Sequence, residues 1–172
     1  MKTVNMLSTS VGQTARLGEQ LAKHLNKGDI VCLQGELGSG KTTFIKGVAK
    51  GLRISPTQVN SPTFVLMNAY AGRLPTCPAG RRAGQAGLPL YHFDLYRIET
   101  VAEMGAIGYE EFLYGDGIAV VEWAEKLKSL TPKEYLRIEL AHKGENQRLI
   151  KLSAIGKRYD RVIEKMVNGT TL

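Results

Sequence analysis

The sequence predicts an α/β fold: a mixed, mostly parallel sheet flanked by helices, with an antiparallel hairpin near the C-terminus. Three observations carry that expectation. Short apolar runs alternate along the chain with segments of helical periodicity, the pattern that builds parallel sheets. A glycine-rich turn, Gly35-Glu36-Leu37-Gly38-Ser39-Gly40-Lys41-Thr42, stands between one such run and a helix. Residues 135–140 and 148–153 alternate well enough to pair as a hairpin. At 172 residues the chain fits one domain spanning 1–172.

The elements follow in order. Ser10-Val11-Gly12-Gln13 has the S-x-x-Q form of a capping box. Leu17, Leu21 and Leu25 follow at four-residue spacing, with Ala15 and Ala22 nearby, so 11–26 is predicted as an amphipathic helix that Gly28 stops. Residues 30–33 (IVCL) form a buried strand, and the helix after the glycine turn runs to about Lys50, with Gly51 at its end. Residues 63–70 have strand character, 71–89 (AGRLPTCPAGRRAGQAGLP) read as a long flexible loop insertion, and 90–95 as another strand. Thr100-Val101-Ala102-Glu103 is a second capping box, opening a helix to about Leu113 that Gly105 and Gly108 weaken. Residues 118–121 are a wholly apolar strand. A terminal helix over 158–167 carries Tyr159, Val162, Ile163 and Met166 on one face.

The glycine turn matches G-x-x-x-x-G-K-[ST] in full and makes the predicted fold P-loop NTPase-like. The spacing has a chemical reason. Glycines let the loop curl until successive backbone N–H groups face one anion. Lys41 then neutralises β- and γ-phosphate charge, the Thr42 hydroxyl ligates Mg²⁺, and the following helix aims its N-terminal dipole at the phosphates. The expected ligand is a nucleoside triphosphate. No N-K-x-D guanine-reading motif occurs, which favours adenine.

A phosphate loop also needs a metal-side carboxylate, and two acids end apolar strands: Asp94 in LYHFD and Glu122 in IAVVE. Both fit the carboxyl end of a strand, where doubly wound sheets bind ligands. His92 reads as a structural histidine. Ser61-Pro62-Thr63-Phe64 follows the loop helix, where switch segments sense the γ-phosphate, although a Pro-stiffened strand entry has the same sequence. Trp123, the only tryptophan, is compatible with core packing or with a functional surface.

Composition bounds the alternatives. No run approaches the roughly 18–20 apolar residues that span a bilayer, and the N-terminal stretch has no apolar signal core. Cys32 lies in an apolar run and Cys77 is far from it, so a reduced core thiol and a cytoplasmic location are expected. The net charge of +7 is uneven: residues 1–52 carry +4, 53–125 carry −3 and 126–172 carry +6. The acidic middle holds both candidate metal ligands.

Taken in order, GELGSGKTTF, SPTF, Tyr70, HFDLYR and VVEWAE resemble the TsaE (YjeE) family over roughly residues 9–153. The resemblance implies a small bacterial P-loop ATPase, weak alone, that works beside TsaB and TsaD in threonylcarbamoyladenosine modification of tRNA. It implies ATP and Mg²⁺ as ligands and a doubly wound α/β fold. By position it gives phosphate binding to Glu36, Leu37, Gly38, Ser39, Gly40, Lys41, Thr42 and Thr43, and a place near the base to Thr9. Lys41, Asp94 and Glu122 become the catalytic residues, with Thr42, Glu122 and Asp94 on the metal. Ser61, Thr63 and Trp123 become switch or partner-facing residues. Three departures stand out: Ser39 where alanine is usual, Ala124 in place of a proline, and a longer 71–89 loop carrying Arg73, Arg81 and Arg82.

Two rivals remain at this stage. A small-molecule kinase would use the arginine-bearing 71–89 loop as a lid that excludes water. A non-catalytic nucleic-acid module would use the basic C-terminal segment. That segment offers only Tyr135 and Tyr159 for stacking, so it ranks last.

Overall fold

The computed structural model describes residues 1–72, 88–106 and 108–169. Most of the 71–89 insertion, with Arg73, Arg81 and Arg82, lies outside the described residues. Its ends do not: Gly72 pairs with Leu88 and Ala71 with Pro89, so four residues read as loop are strand.

Seven strands form one sheet in the order β1-β7-β6-β2-β5-β4-β3. They are β1 (Thr3–Ser8), β2 (Ile30–Gln34), β3 (Met67–Gly72), β4 (Leu88–Asp94), β5 (Ile118–Glu122), β6 (Tyr135–His142) and β7 (Arg148–Ile155). β2 pairs in parallel with β5 and β6, and β5 in parallel with β4. β7 runs antiparallel to β6 and β1, and β3 antiparallel to β4. Five strands therefore run one way and β3 and β7 the other, which is the mixed, mostly parallel sheet expected. β2 and β5 lie at the centre and read as uninterrupted apolar runs because both of their faces are covered.

Helices α1 (Val11–Ala22), α2 (Lys41–Gly51) and α5 (Lys157–Gly169) cover one face. Their core joins Leu17, Leu21, Phe44, Ile45, Val48 and Tyr159 to Val31, Leu33, Leu90, Ile118 and Val120 of the sheet. The other face is covered by α3 (Val101–Ala106), α4 (Tyr109–Leu113) and a 3₁₀ segment, Ala124–Leu130, over Ile30, Cys32, Phe93, Ala119 and Val121. Burial pushes the Cys32 thiol pKa up to about 12, so it is an inert core sulfur, as its sequence setting suggested.

Several elements differ from expectation for local reasons. β1 was not foreseen. It is an edge strand burying only Met6 and Ser8, too sparse a pattern to separate from polar chain. The capping box of α1 is real, with Gln13 N donating to Ser10 Oγ at 3.1 Å, but Gln13 returns its bond to Thr9 instead of Ser10. The helix ends at Ala22, short of residue 26, in a tightened last turn where Lys23 N reaches Gln20 O at 3.2 Å. Leu25 is buried from the following turn. Residues 63–66 are a turn, with Leu66 at φ 66° and its N–H on Pro62 O, so β3 begins only at Met67. Gly108, at φ 61°, splits the helix foreseen to Leu113 into α3 and α4. No described helix is long and apolar enough to cross a membrane.

Candidate active site

The site forms where β2, β4 and β5 end on the side of the sheet that α2 covers. Along β4 and β5, alternation sends Leu90, Ile118 and Val120 into the α1–α2 core, while Phe93 and Val121 join the opposite core. His92, Asp94 and Glu122 continue the first set at period two, so three polar side chains extend the face that meets the loop. Asp94 and Glu122 are direct partners in the β4–β5 register.

The glycine turn leaves β2 at Gly35, whose φ is 141°. A Cβ there would stand 2.3 Å from Leu140 O and 2.9 Å from Ser39 Oγ, so only glycine fits. Gly38 and Gly40 also take positive φ, 76° and 103°, and Gly40 enters α2 directly. Leu37 stands exposed at the loop tip, while Ser39 is fully buried.

Lys41, the first residue of α2, is 4% exposed. Its Nζ donates to Gly35 O at 2.7 Å and Glu36 O at 2.9 Å, and lies 3.9 Å from the centroid of the Trp123 ring. Burial lowers its pKa, and the charges of Glu122, Glu125 and Asp94 offset this only in part. Thr42 Oγ1 donates to the Glu122 carboxylate, 2.9 Å from Oε1 and 3.1 Å from Oε2. Glu122 is 3% exposed and takes a further contact from His92 Nε2, 2.9 Å from its Oε1. A carboxylate only accepts, so Nε2–H is the donor. His92 Nδ1 is buried with no hydrogen-bond partner among the described residues.

Asp94 forms a second node. Its Oδ2 accepts from Ser61 and, at 2.5 Å, from Thr63, while its Oδ1 accepts from the Tyr96 backbone at 2.9 Å. Tyr70 Oη donates to Asn60 O at 3.4 Å, tying β3 to the same segment. Arg97 of HFDLYR lies 4.2 Å over the ring of Phe64, which is 81% exposed. Trp123 is half-buried. It packs against the Ala119–Val121 face and on Tyr96 at 5.0 Å, and it faces the Lys41 ammonium. Its backbone is left-handed, φ 58°, which bends the chain sharply after Glu122.

The structure thus brings together the loop, Lys41, Thr42, Glu122 and Trp123, with Asp94, Ser61 and Thr63 beside them. Thr43 follows in the first turn of α2. Thr9 is placed less directly. Its backbone N and Oγ1 donate to Gln13 Oε1 at 2.7 and 2.9 Å, while a Cβ placed on Gly40 would meet Thr14 Cγ2 at 3.7 Å. Two further side chains brace the site. His92, expected as a structural histidine, bonds Glu122. Arg148, in β7, bonds the loop's own carbonyls and belongs to no motif. A cavity of about 360 Å³ also opens beside the loop, between residues 34–36 and 139–142.

Hydroxyl, carboxylate and ammonium groups so arranged, at the N-terminus of a helix, can cradle an anion and share a hard cation with it. Among the described residues no group of three or more His, Cys, Asp or Glu side chains is set to hold a metal by itself.

Comparison with known proteins agrees with this fold. The family model described as threonylcarbamoyl adenosine biosynthesis protein TsaE matches residues 8–150. The tRNA threonylcarbamoyladenosine biosynthesis protein TsaE of Bacillus subtilis is 35% identical over 166 residues, covering 96% of this chain and 95% of the relative. That of Treponema pallidum is 39% identical over 134 residues, covering 78% of this chain and 88% of the relative. The crystal structure of Bacillus subtilis YdiB superposes with a TM-score of 0.75 at 30% identity, covering 98% of this chain and 96% of that one. With the loop, both strand-end acids and the sheet order already in place, the chain belongs to the TsaE family.

Proposed function

We propose that this protein is a cytoplasmic, Mg²⁺-dependent ATPase that supports threonylcarbamoyladenosine modification of tRNA by driving turnover of a TsaB–TsaD complex. The observation that carries the reading is the bond from Thr42 Oγ1 to Glu122, which joins the phosphate-loop helix to a neighbouring strand-end acid. These are hard oxygen donors converging at one point, and they fit Mg²⁺, which shares its ligands with phosphate and water. Held by these residues, Mg²⁺ would supply positive charge to the phosphates of the nucleotide.

The chain's residues divide the remaining work. Loop N–H groups and Lys41 bind and orient the phosphates, Lys41 exchanging its bonds to Gly35 and Glu36 carbonyls for phosphate oxygens. Thr42 and Glu122 hold the metal side, with His92 fixing the carboxylate. Asp94 orients the attacking water, its Oδ2 steadied by the Ser61 and Thr63 hydroxyls of the switch segment. A partner that completes the site with a cation contributes about 10³–10⁵ in rate, which accounts for a weak isolated enzyme.

The test is Mg-ATP hydrolysis by the chain alone and with TsaB and TsaD. Stimulation by the pair is expected. Transfer of phosphate to a metabolite in place of water would overturn the reading in favour of a kinase. Two variants separate the acids. Glu122→Gln is expected to bind ATP but require about tenfold more Mg²⁺, because a neutral ligand remains. Asp94→Asn is expected to lower kcat by roughly 10² with Mg²⁺ dependence unchanged. Normal turnover by both would remove both from catalysis, and the opposite pattern would exchange their roles.

A further inference from the structure

Arg148 opens β7, 109 residues from the phosphate loop, and it is the loop's outer support. Its Nε donates to Ser39 O at 3.1 Å and its Nη2 reaches Gly38 O at 3.5 Å. The same guanidinium holds the hairpin tip, Nη1 donating to Gly144 O and Glu145 O at 3.3 Å each and to Gln147 O at 3.0 Å. All five acceptors are backbone carbonyls. Among the described residues no carboxylate pairs with Arg148, so its charge stands beside the loop uncompensated.

The Ser39 carbonyl matters most, because it shares a peptide unit with the Gly40 N–H. No described peptide is cis, so these two groups lie in one plane and point in opposite directions within it. Fixing the carbonyl on Arg148 sends the Gly40 N–H away from the guanidinium. Gly40, at φ 103°, has the backbone freedom that makes a flip of this peptide accessible, and a flip would turn a carbonyl oxygen where a donor belongs. We infer that Arg148 is a positioning residue for phosphate binding: it locks the Ser39–Gly40 peptide with its N–H available to the anion, and it couples the β6–β7 hairpin tip to the loop. The inference rests on the nucleotide-binding reading above. A planar fork bonding several carbonyls at once is a task for arginine that a lysine ammonium does not reproduce.

The experiment measures ADP affinity, steady-state kinetics and amide exchange across residues 35–40 for wild type, Arg148→Ala and Arg148→Lys. Both variants are expected to bind ADP about tenfold more weakly, the loss that follows when one loop N–H no longer faces the phosphate. KM for ATP rises in step, kcat at saturation stays within about twofold, and loop amides exchange faster. Wild-type affinity in Arg148→Lys would overturn the inference, since charge alone would then suffice. A fall in kcat with KM unchanged would also overturn it. Should Arg148→Ala fail to fold, Arg148→Lys, which keeps the stem and charge, decides alone. If wild type bound no ADP, the nucleotide reading would fail and take this inference with it. If wild type binds and Arg148→Lys binds equally, only the inference fails.

Discussion

Lys41→Ala is expected to abolish the proposed productive ATP binding, so that added Mg-ATP no longer raises the melting temperature and hydrolysis falls to background. Lys41 is the only loop side chain with a full positive charge, and it sits at the N-terminus of α2, where helix dipole and ammonium act on the same anion. Replacing two charge-assisted bonds to phosphate, each worth roughly 1.5–3 kcal/mol, with a methyl group costs a factor of about 10² or more in affinity. The apoprotein behaves differently. A lysine whose pKa is lowered by folding favours the native state only above its ordinary pKa, and that contribution is lost as pH falls through the lowered value. Below the ordinary lysine pKa, neutral pH included, Lys41 is therefore carried at a cost to stability, because burial opposes its ionisation. The Lys41→Ala apoprotein keeps or gains melting temperature at pH 7. An ATP-dependent shift equal to that of wild type would sink the phosphate-loop assignment. A large drop in apoprotein melting temperature would instead show that Lys41 supports the fold.

The uneven visibility of the site in the sequence has a physical origin. The phosphate loop is local chemistry: glycine spacing, lysine and hydroxyl are consecutive, and the backbone they need is dictated by the loop itself. Asp94 and Glu122 were visible because each closes an apolar strand, and their register pairing shows why those two ends meet. The His92–Glu122 contact was not visible. It depends on which face of β4 His92 takes and on the parallel alignment of β4 with β5, neither of which a lone histidine announces. Arg148 was further out of reach, since its acceptors are main-chain carbonyls and carry no residue identity to read. The turn at 63–66 misled for a related reason: Thr63-Phe64-Val65 has strand composition, but Pro62 and the Asp94 carboxylate capture the segment before it can pair. What failed in the sequence is side-chain capture across distance, and what succeeded is backbone geometry encoded in adjacent residues.

The same distinction governs the support beneath the loop, where the second large effect is expected. α1 and α2 cross with their backbones nearly touching: a Cβ on Gly47 would stand 1.9 Å from Ala15 O and 2.7 Å from Ala15 C, and one on Gly18 would stand 2.1 Å from Phe44 O. These neighbours are main chain and cannot rotate aside. Gly47→Ala must push the helices apart, opening contacts around Leu21, Phe44 and Val48, all fully or almost fully buried. Overpacking of this kind costs about 3 kcal/mol or more, outweighing the roughly 1 kcal/mol that alanine gains over glycine in a helix. In a chain of this length the net loss of about 2 kcal/mol or more corresponds to a fall of at least roughly 4–8 °C in melting temperature. Gly12, in the first turn of α1, supplies the control: nothing lies within 4 Å of a Cβ built there, so Gly12→Ala is expected to be neutral or to stabilise by up to about 1 kcal/mol. Urea unfolding of the two variants decides the matter, and equal stability would disprove the close crossing. Because Lys41 and Thr42 begin α2, displacement of that helix from α1 also weakens the ATP-dependent thermal shift in Gly47→Ala. A change five residues beyond the loop motif is then expected to reach the anion site through the helix crossing that positions it.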